Sequence, residues 1–327
     1  MTRTLAVARE VWPIRGTFRI SRGSRTEAVV VVARIAHDGA AGAGECVPYA
    51  RYGESVESVM AQIESARALI ERGGTRAELA TALPAGAARN ALDCALWDLE
   101  AKRAGKRVWQ LAGLPEPKAV VTAFTLSVDT PANMAQAAEA ARARPLLKVK
   151  LTGEGDLERV AAVRKAAPNS RLIVDANEAW DIGAFARYAP ALGKLGVDLI
   201  EQPLHAERDA ALAGLAHPVA LCADESCHDR HSLPHLAGRY EAVNIKLDKT
   251  GGLTEALALR NAAMVAGFKI MVGCMVGTSL GMAPAHLVAQ GCSWTDIDGP
   301  LLLDRDRVPG LVFDGSTVST PAAALWG

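Results

Sequence analysis

Short apolar runs that end in a side chain able to do chemistry recur along most of this chain, and no other feature restricts its fold as much. LLKVKL carries Lys150, RLIVDAN carries Asp175, DLIEQP Glu201, VALCADES Asp224 and EAVNIKLDKTGG Lys246. Successive members lie 22 to 26 residues apart, about the chain that a strand, a turn, a helix and a return loop occupy in a βα unit. FKIMVGCM with Cys274 and SWTDIDGP with Asp296 and Asp298 continue the series. Helical patterns such as DLERVAAVRKAA and GGLTEALALRNAAMVAG fill the intervals. The expected fold class is α/β: a (β/α) barrel whose polar residues sit at the C-terminal strand ends, where such barrels carry their chemistry.

Side chains alternate along a strand, so Lys148 and Lys150 of LLKVKL share one face. Two ammonium groups that close repel, and each eases the other's loss of a proton. Asp175, Glu201 and Asp224 end three consecutive strands and should converge above the barrel. Carboxylates meeting there repel unless a cation neutralises them. Hard oxygen donors without His or Cys favour Mg²⁺, with Mn²⁺ second, over zinc. Helix capping by each acid is the plainer alternative; it suits one such residue better than three in a row beside lysines.

Lys246 on the sixth strand stands across an eight-stranded barrel from Lys150 on the second. Proton removal from one face of a carbon and return to the other requires an amine on each side. The cation would stabilise the enediolate oxygens that form. Nearby Mg²⁺ and Lys148 are expected to depress a lysine pKa, leaving one amine neutral. Pairing of Lys246 with Asp248 or Asp224 is the structural alternative, but it leaves Lys148 and Lys150 unexplained.

Asp296 and Asp298, at i and i+2, are expected on one side of the last strand, where they suit an ammonium group. Upstream, WPIRGTFRISRGSRT reads as a loop with Arg15, Arg19, Arg22 and Arg25. As a lid those arginines suit a carboxylate; as a solvated loop they need no ligand. Lid and aspartates together describe an amino-acid-like zwitterion. A turn acid followed by a helix cap is the alternative for TDIDGP.

The N-terminal third has a different pattern. Residues 1–49 read as antiparallel strands turning at HDG. Helical periods run from Ser55 to Arg72 and from Ala85 to Gly105, the second with Ala88, Leu92, Ala95, Leu96 and Leu99 on one stripe. Its Asp93 and Asp98 are expected at the helix surface or against another domain. LAGLPEPKA (111–119) marks a boundary, and AVVTAFTLS (119–127) reads as the first barrel strand with Thr125 at its C-terminal end. The expected organisation is an α+β capping domain with lid loops over 1–115, the barrel over 116–300 and a return segment over the cap at 301–327.

Charge excludes some partners. Lysine plus arginine equal aspartate plus glutamate, 36 against 36, so no basic field for nucleic acid or anionic membrane is implied, and a small-molecule ligand is expected. Six cysteines without CxxC spacing point to a reduced, cytoplasmic protein. No signal peptide is expected from the first residues, and no apolar run reaches the roughly 20 residues that span a bilayer. His228, His231 and His235 in HDRHSLPH, interrupted by Pro234, match no zinc pattern. Homo-oligomerisation is left open.

KVK, DAN, IEQP, ADES and NIKLDKTGG together resemble the enolase superfamily in its muconate-lactonizing subgroup, which uses a Lys or His base with Mg²⁺. The resemblance covers nearly the whole chain, including ALDCALWDLEAKRAGK and VPGLVFDG. RISRGSRTEA, PYARYGES, PAGAARNALDCALWDL, KLDKTGGLTEALAL, GCM and DIDGP look like the bacterial L-Ala-D/L-Glu dipeptide epimerases, enzymes linked to murein peptide recycling. The resemblance implies a modified enolase-type barrel with Mg²⁺ on Asp175, Glu201 and Asp224, and acid/base catalysis by Lys150 and Lys246. It places Lys148 against the substrate carboxylate and Thr125 on the substrate. Asp296 and Asp298 would receive the dipeptide ammonium, Cys274 would line the pocket, and Arg22 would meet the glutamate side-chain carboxylate. The implied reaction inverts the α-carbon of the second residue, L-Ala-L-Glu to L-Ala-D-Glu, by two-base proton transfer through an enediolate. o-Succinylbenzoate synthase, muconate cycloisomerase and N-acylamino acid racemase chemistries use the same core. Two facing aspartates disfavour a dicarboxylate that lacks an amine. A non-catalytic barrel would not need opposed lysines. VGTSLGMAPA after GCM departs from the pattern and bears on side-chain preference.

Overall fold

The computed structural model describes residues 3–327. It opens with an antiparallel meander of β1 (Thr4–Ile20), β2 (Gly23–His37) and β3 (Ala40–Cys46), with β2 in the centre. Alternation on a central strand covers both faces: Val31, Ala33 and Ile35 enter the cap core with the stripe Ala88, Leu92, Ala95, Leu96 and Leu99, while Val30 and Val32 join the core shared with the barrel. That double burial accounts for the unbroken VVVVA run. β3 lies backbone to backbone on the helix Ala87–Ala104. A Cβ on Gly42 would stand 2.2 Å from the Ala95 carbonyl oxygen, and one on Gly44 2.1 Å from that of Ala91, so no side chain fits at either position.

Two expectations for this region are corrected, and a third is narrowed to one of its alternatives. The arginine-bearing stretch is not a loop: β1 runs to Ile20 and β2 starts at Gly23, with register Phe18–Arg25 and Ile20–Gly23. Backbone pairing between adjacent segments needs no apolar side chains, so a polar sequence conceals a hairpin arm. Its tip is tied to the barrel rim by Val128 N–H to the Arg19 carbonyl (3.1 Å) and Ser21 Oγ to the Asn177 carbonyl (3.0 Å). The helix expected from Ser55 breaks at Ala66 into Val56–Ser65 and Arg67–Glu71, with Val59 and Ile63 before the break and Leu69 and Ile70 after it all in the cap core. Asp93 and Asp98 are buried, which removes the helix-surface alternative for both and leaves contact with another domain, the one Asp93 makes. Asp93 accepts from Thr254 N–H and Oγ1–H of the barrel, and Asp98 from Ala43 N–H, Lys102 and Gly327 N–H.

The expected first barrel strand is split. β4 (Val120–Val121) pairs instead with the tail, in a small sheet with β13 (Phe313–Asp314) and β14 (Thr317–Val318). The barrel starts at β5 (Phe124–Leu126) and continues through β6 (Leu146–Lys150), β7 (Arg171–Asp175), β8 (Val197–Glu201), β9 (Ala220–Ala223), β10 (Ala242–Ile245), β11 (Lys269–Gly273) and β12 (Trp294–Asp296). These eight strands are parallel and in chain order, and Ala123 N–H donates to the Thr295 carbonyl at 2.7 Å to bring first and last together. A 3₁₀ segment, Ala206–Leu212, replaces the helix after β8. The tail reaches the cap, where Trp326 Nε1 donates to the Cys94 carbonyl. Among the described residues no helix is long and apolar enough to cross a membrane.

Period two then sorts the barrel into layers. Ala123, Leu146, Ile173, Leu199, Cys222, Ala242, Met271 and Trp294 form one apolar floor, one residue from each strand or its approach. Leu147, Val149, Leu172, Val174, Ile200, Leu221, Val243 and Val272 point outward to the helices. Two residues past each floor position the next inward layer is polar.

Asp248 joins cap to barrel, its Oδ1 accepting from Val47 N–H (3.0 Å) and Asn90 Nδ2 (2.8 Å). Burial outweighs those bonds and, with the charges of Glu54 and Glu45, lifts the carboxyl to about 7. A folded acid with a raised pKa keeps a proton that the unfolded chain has released, so it costs stability as pH climbs from about 4 to 7. Asp248→Asn retains an acceptor and should therefore stabilise more at pH 8 than at pH 5, by on the order of 2–3 kcal/mol. Thermal melts with the same gain at both pH values would contradict a buried charge here.

Candidate active site

The polar layer comprises Thr125, Lys148, Asp175, Glu201, Asp224, Asn244, Gly273 and Asp296, each two residues beyond its floor residue. Lys150 and Lys246 lie one step further along β6 and just past β10, the second and sixth strands of eight. Gly273 belongs to this layer because Asn244 fills its space: a Cβ there would stand 2.6 Å from Asn244 Oδ1.

Asp175, Glu201 and Asp224 are brought together, with one oxygen from each within 4.8 Å of the others. Each carboxylate has one oxygen tied outward. Asn177 N–H holds Asp175 Oδ1 (2.9 Å), Asn244 Nδ2 holds Glu201 Oε1 (2.8 Å) and Lys249 Nζ holds Asp224 Oδ1 (2.6 Å). The other oxygens face ammonium groups. Asp175 Oδ2 lies 2.6 Å from Lys150 Nζ and 3.3 Å from Lys148, Glu201 Oε2 2.7 Å from Lys148, and Asp224 Oδ2 2.7 Å from Lys246. Glu201 Oε2 is buried yet out of line for any hydrogen bond. Three carboxylates that each turn one oxygen to a shared centre fit a hard divalent cation.

These acids and lysines set one another's charge. Burial alone would raise Asp175, but Lys150 and Lys148 outweigh it and bring it down to about 2. Glu201 rises to about 7 through burial and the Asp175 charge, against Lys148. Asp224 is held well below the carboxylate range, Lys246 and Lys249 overcoming burial. The expected depression of a lysine pKa depends on a bound Mg²⁺ as well as on Lys148; the carboxylates by themselves act on Lys148 and Lys246 in the opposite direction. Burial would lower Lys148 and Lys246, but Asp296 and Glu201 raise the first, and Asp224 and Glu201 the second. The reason is direct pairing with carboxylates, which a bound cation would contest.

A cavity of about 410 Å³ opens above the cluster, lined among others by Phe18, Ile20, Arg25, Tyr52, Lys150, Asp224, Lys246 and Cys274. That size falls in the range of roughly 300–1,000 Å³ usual for small-molecule sites. Burial and the Asp296 charge keep the Cys274 thiol above its usual range, so it stays protonated. Arg22 also reaches the cavity, but it is committed to Glu225 Oε1 (2.6 Å), the Asn177 carbonyl (2.9 Å) and Tyr49 Oη (3.0 Å). Arg51 is engaged with Glu178 at 2.6 and 2.7 Å. Arg25 lies over the Tyr49 ring, 5.3 Å from its centroid, and among the described residues no carboxylate is paired with it.

Asp296 and Asp298 do not share a strand as expected. β12 ends at Asp296, and Asp298 begins the following short helix, its Oδ2 accepting from Thr125 N–H at 2.7 Å. Burial and Asp296 lift Asp298 to about 7. Asp296 Oδ2 faces Lys148 (2.8 Å), while its buried Oδ1 has no hydrogen-bond partner among the described residues. Lys148, Thr125, Asp296 and Asp298 lie beneath the cavity wall rather than in it.

Sequence reading missed four residues. Asn244 was detectable, since it stands two before Lys246 on the same strand face. Gln202 takes φ 36°, beside Asn177 at 44° and Glu178 at 67°, a cluster of left-handed non-glycine residues at strand ends such as functional loops tolerate. Its Oε1 accepts from Asp224 N–H (2.9 Å) and Ser226 N–H (3.1 Å). Lys249 and Glu225 carry no local signal, because their partners are distant in sequence.

An eight-stranded barrel with a carboxylate trio and lysines on facing walls, closed by an α+β cap, defines the enolase superfamily. The chain belongs to its mandelate racemase/muconate lactonizing enzyme family. Residues 132–321 match the family described as enolase C-terminal domain-like, and residues 2–113 the mandelate racemase/muconate lactonizing enzyme N-terminal domain. The chain is 51% identical over 313 residues to the L-Ala-D/L-Glu epimerase of Escherichia coli (strain K12), covering 95% of this chain and 98% of that one. It is 47% identical over 290 residues to an N-acetyl-D-glutamate racemase of Pseudoalteromonas sp., covering 88% and 91%. A crystal structure of an enolase family member from Agrobacterium tumefaciens with homology to dipeptide epimerases, with bound sodium, L-Ala-L-Glu and an ordered loop, superposes with a TM-score of 0.98 at 52% identity, over 99% of this chain and all of that one.

Proposed function

We propose that this protein is a cytoplasmic, divalent-cation-dependent dipeptide epimerase that interconverts L-Ala-L-Glu and L-Ala-D-Glu in murein peptide metabolism. Residues 1–115 serve as cap and lid, 116–300 carry the chemistry and 301–327 return over the cap. One observation carries the reading: Lys150 and Lys246 stand on facing barrel walls, on either side of a carboxylate trio, and both line one cavity.

Asp175, Glu201 and Asp224 would hold a divalent cation, Mg²⁺ by the hardness of the donors, which would supply positive charge to stabilise the substrate carboxylate when the α-carbon loses its proton. Lys150 Nζ takes the α-proton on one face and Lys246 Nζ returns one on the other, the roles reversing for the opposite epimer. Asp175 Oδ2 and Asp224 Oδ2, given over to a cation, would be lost to Lys150 and Lys246 and leave both amines to the substrate, with Lys148 holding negative charge on the enediolate. Asp296 Oδ1, an unused acceptor just beneath the cavity wall, would receive the dipeptide ammonium where that wall gives way, with Asp298 and Thr125 behind it. Cys274 borders the first residue's side chain. Arg22 holds the arm shut through Glu225, and the unpaired Arg25 joins it as the guanidinium that meets the glutamate side chain. Phe18 and Ile20 exclude water from above.

Racemisation of an N-acylated glutamate is the second reading, favoured by the Pseudoalteromonas relative; it leaves Asp296 without an ammonium to receive. Incubation with Mg²⁺ in D₂O separates the two. We expect α-deuterium and the D-Glu epimer from L-Ala-L-Glu, and kcat/KM at least about 100-fold lower for N-acetylglutamate, since a buried acceptor is left unpaired. Arg25→Met should lower kcat/KM for L-Ala-L-Glu by about 10–100-fold, the worth of a charge-assisted bond, and spare L-Ala-L-Gln. Turnover of N-acetylglutamate alone overturns the assignment.

A further inference from the structure

Lys249 is not one of the two lysines assigned to proton transfer, yet it is among the largest fully enclosed side chains of the described residues. Its ammonium has three N–H donors and three acceptors: Asp224 Oδ1 at 2.6 Å, the Asp224 carbonyl at 2.5 Å and the Asn244 carbonyl at 2.9 Å. No donor remains for a substrate, and Lys249 is not among the residues that line the cavity. We propose that Lys249 is a positioning residue of the cation site, fixing the rotation of Asp224 so that Oδ2 alone faces the centre it shares with Asp175 and Glu201. The inference rests on the cation reading given above.

The geometry around the trio is consistent on this point. Each carboxylate has one oxygen held from outside and one turned inward, but the holders differ in charge. Asp175 is held by a backbone N–H, Glu201 by the Asn244 amide and Asp224 by an ammonium. Charge explains the difference. The trio carries three negative charges and a divalent cation offsets two. Lys148 touches Glu201 at 2.7 Å as well as Asp296 at 2.8 Å, and the Asp296 charge offsets its own. Lys249, behind Asp224, supplies the remaining positive charge, so the loaded site reaches neutrality without Lys150 or Lys246, which are left to the substrate. Lys249 also bonds the main chain at Asp224 and at Asn244, whose side chain holds Glu201. One ammonium thus sets two of the three ligands, directly and through the strand that bears Asn244. Partners that orient metal ligands in this way commonly contribute 10–100-fold to affinity.

Titration calorimetry with Mg²⁺ on the full-length protein, with melting of the metal-free form, tests this. Lys249→Met is expected to raise the Mg²⁺ Kd by about 10–100-fold. A residue that merely ties β9 to β10 would lower the melting temperature and leave Kd unchanged, and that result overturns the proposal. A crystal structure of the wild-type protein with Mn²⁺ decides the matter even if the variant does not fold. Asp224 should bind through Oδ2 with Lys249 still on Oδ1, whereas ligation through Oδ1 with Lys249 turned away refutes the assignment. Failure of the wild-type protein to bind either ion would instead end the cation reading itself, and this inference with it.

Discussion

Lys150→Ala and Lys246→Ala are each expected to lower epimerisation of L-Ala-L-Glu by about 10²–10⁴-fold, the usual contribution of a positioned acid or base. Their exchange behaviour should differ. With one amine gone, the other still reaches the α-proton on its own face, so each variant should exchange deuterium into one epimer and not into the other. The two variants should choose opposite epimers. This follows from the topology, since β6 and β10 are second and sixth in a ring of eight strands, and from the pairing of Lys150 with Asp175 and Lys246 with Asp224 on the two flanks of the trio. Mass spectrometry of each epimer recovered from D₂O reads the outcome directly. If both variants exchange the same epimer, or if either epimerises at the wild-type rate, the two-base assignment is lost.

Glu201→Gln should weaken Mg²⁺ binding by more than about 100-fold, since even loss of a partner outside the metal's own ligands costs 10–100-fold. Turnover at limiting Mg²⁺ should fall in parallel. Glu201 sits between the other two acids, and burial together with the Asp175 charge already lifts its carboxyl to about 7. An amide removes that crowding and keeps an oxygen for Asn244 Nδ2. The metal-free variant should therefore melt no lower than the wild type while its cation site is impaired. Lys148 would retain Asp296 and Asp175 as partners, so no buried ammonium is stranded. Calorimetry and melting measured on one preparation separate these effects. Wild-type Mg²⁺ affinity in the variant would remove Glu201 from the ligand set.

How far the site could be read in advance depended on the range of the interaction. Lys148 and Lys150 share a face because a strand has period two, and the same period carries an apolar floor into a polar layer at Asp175, Glu201, Asp224 and Asp296. Those placements follow from bond geometry within one strand. The regular interval between strands required only that each helix return the chain to the sheet, and it was visible without any coordinates. Asp298 escaped the rule because the strand stops at Asp296, and a terminus set by pairing with β11 leaves no mark in the run SWTDIDGP.

By itself, then, the amino-acid order determined the barrel, the alternation of its strands and the side chains that point into it, all products of local periodicity and of burial along a single segment. Tertiary structure alone decided which inward groups meet: Lys249 behind Asp224, Lys148 against Asp296, Arg22 on Glu225 with Arg25 over the Tyr49 ring, and a polar arginine-rich stretch drawn into a hairpin arm over the mouth. These contacts join residues far apart in the chain, and their strength depends on distance and on exclusion of water, neither of which a linear sequence contains.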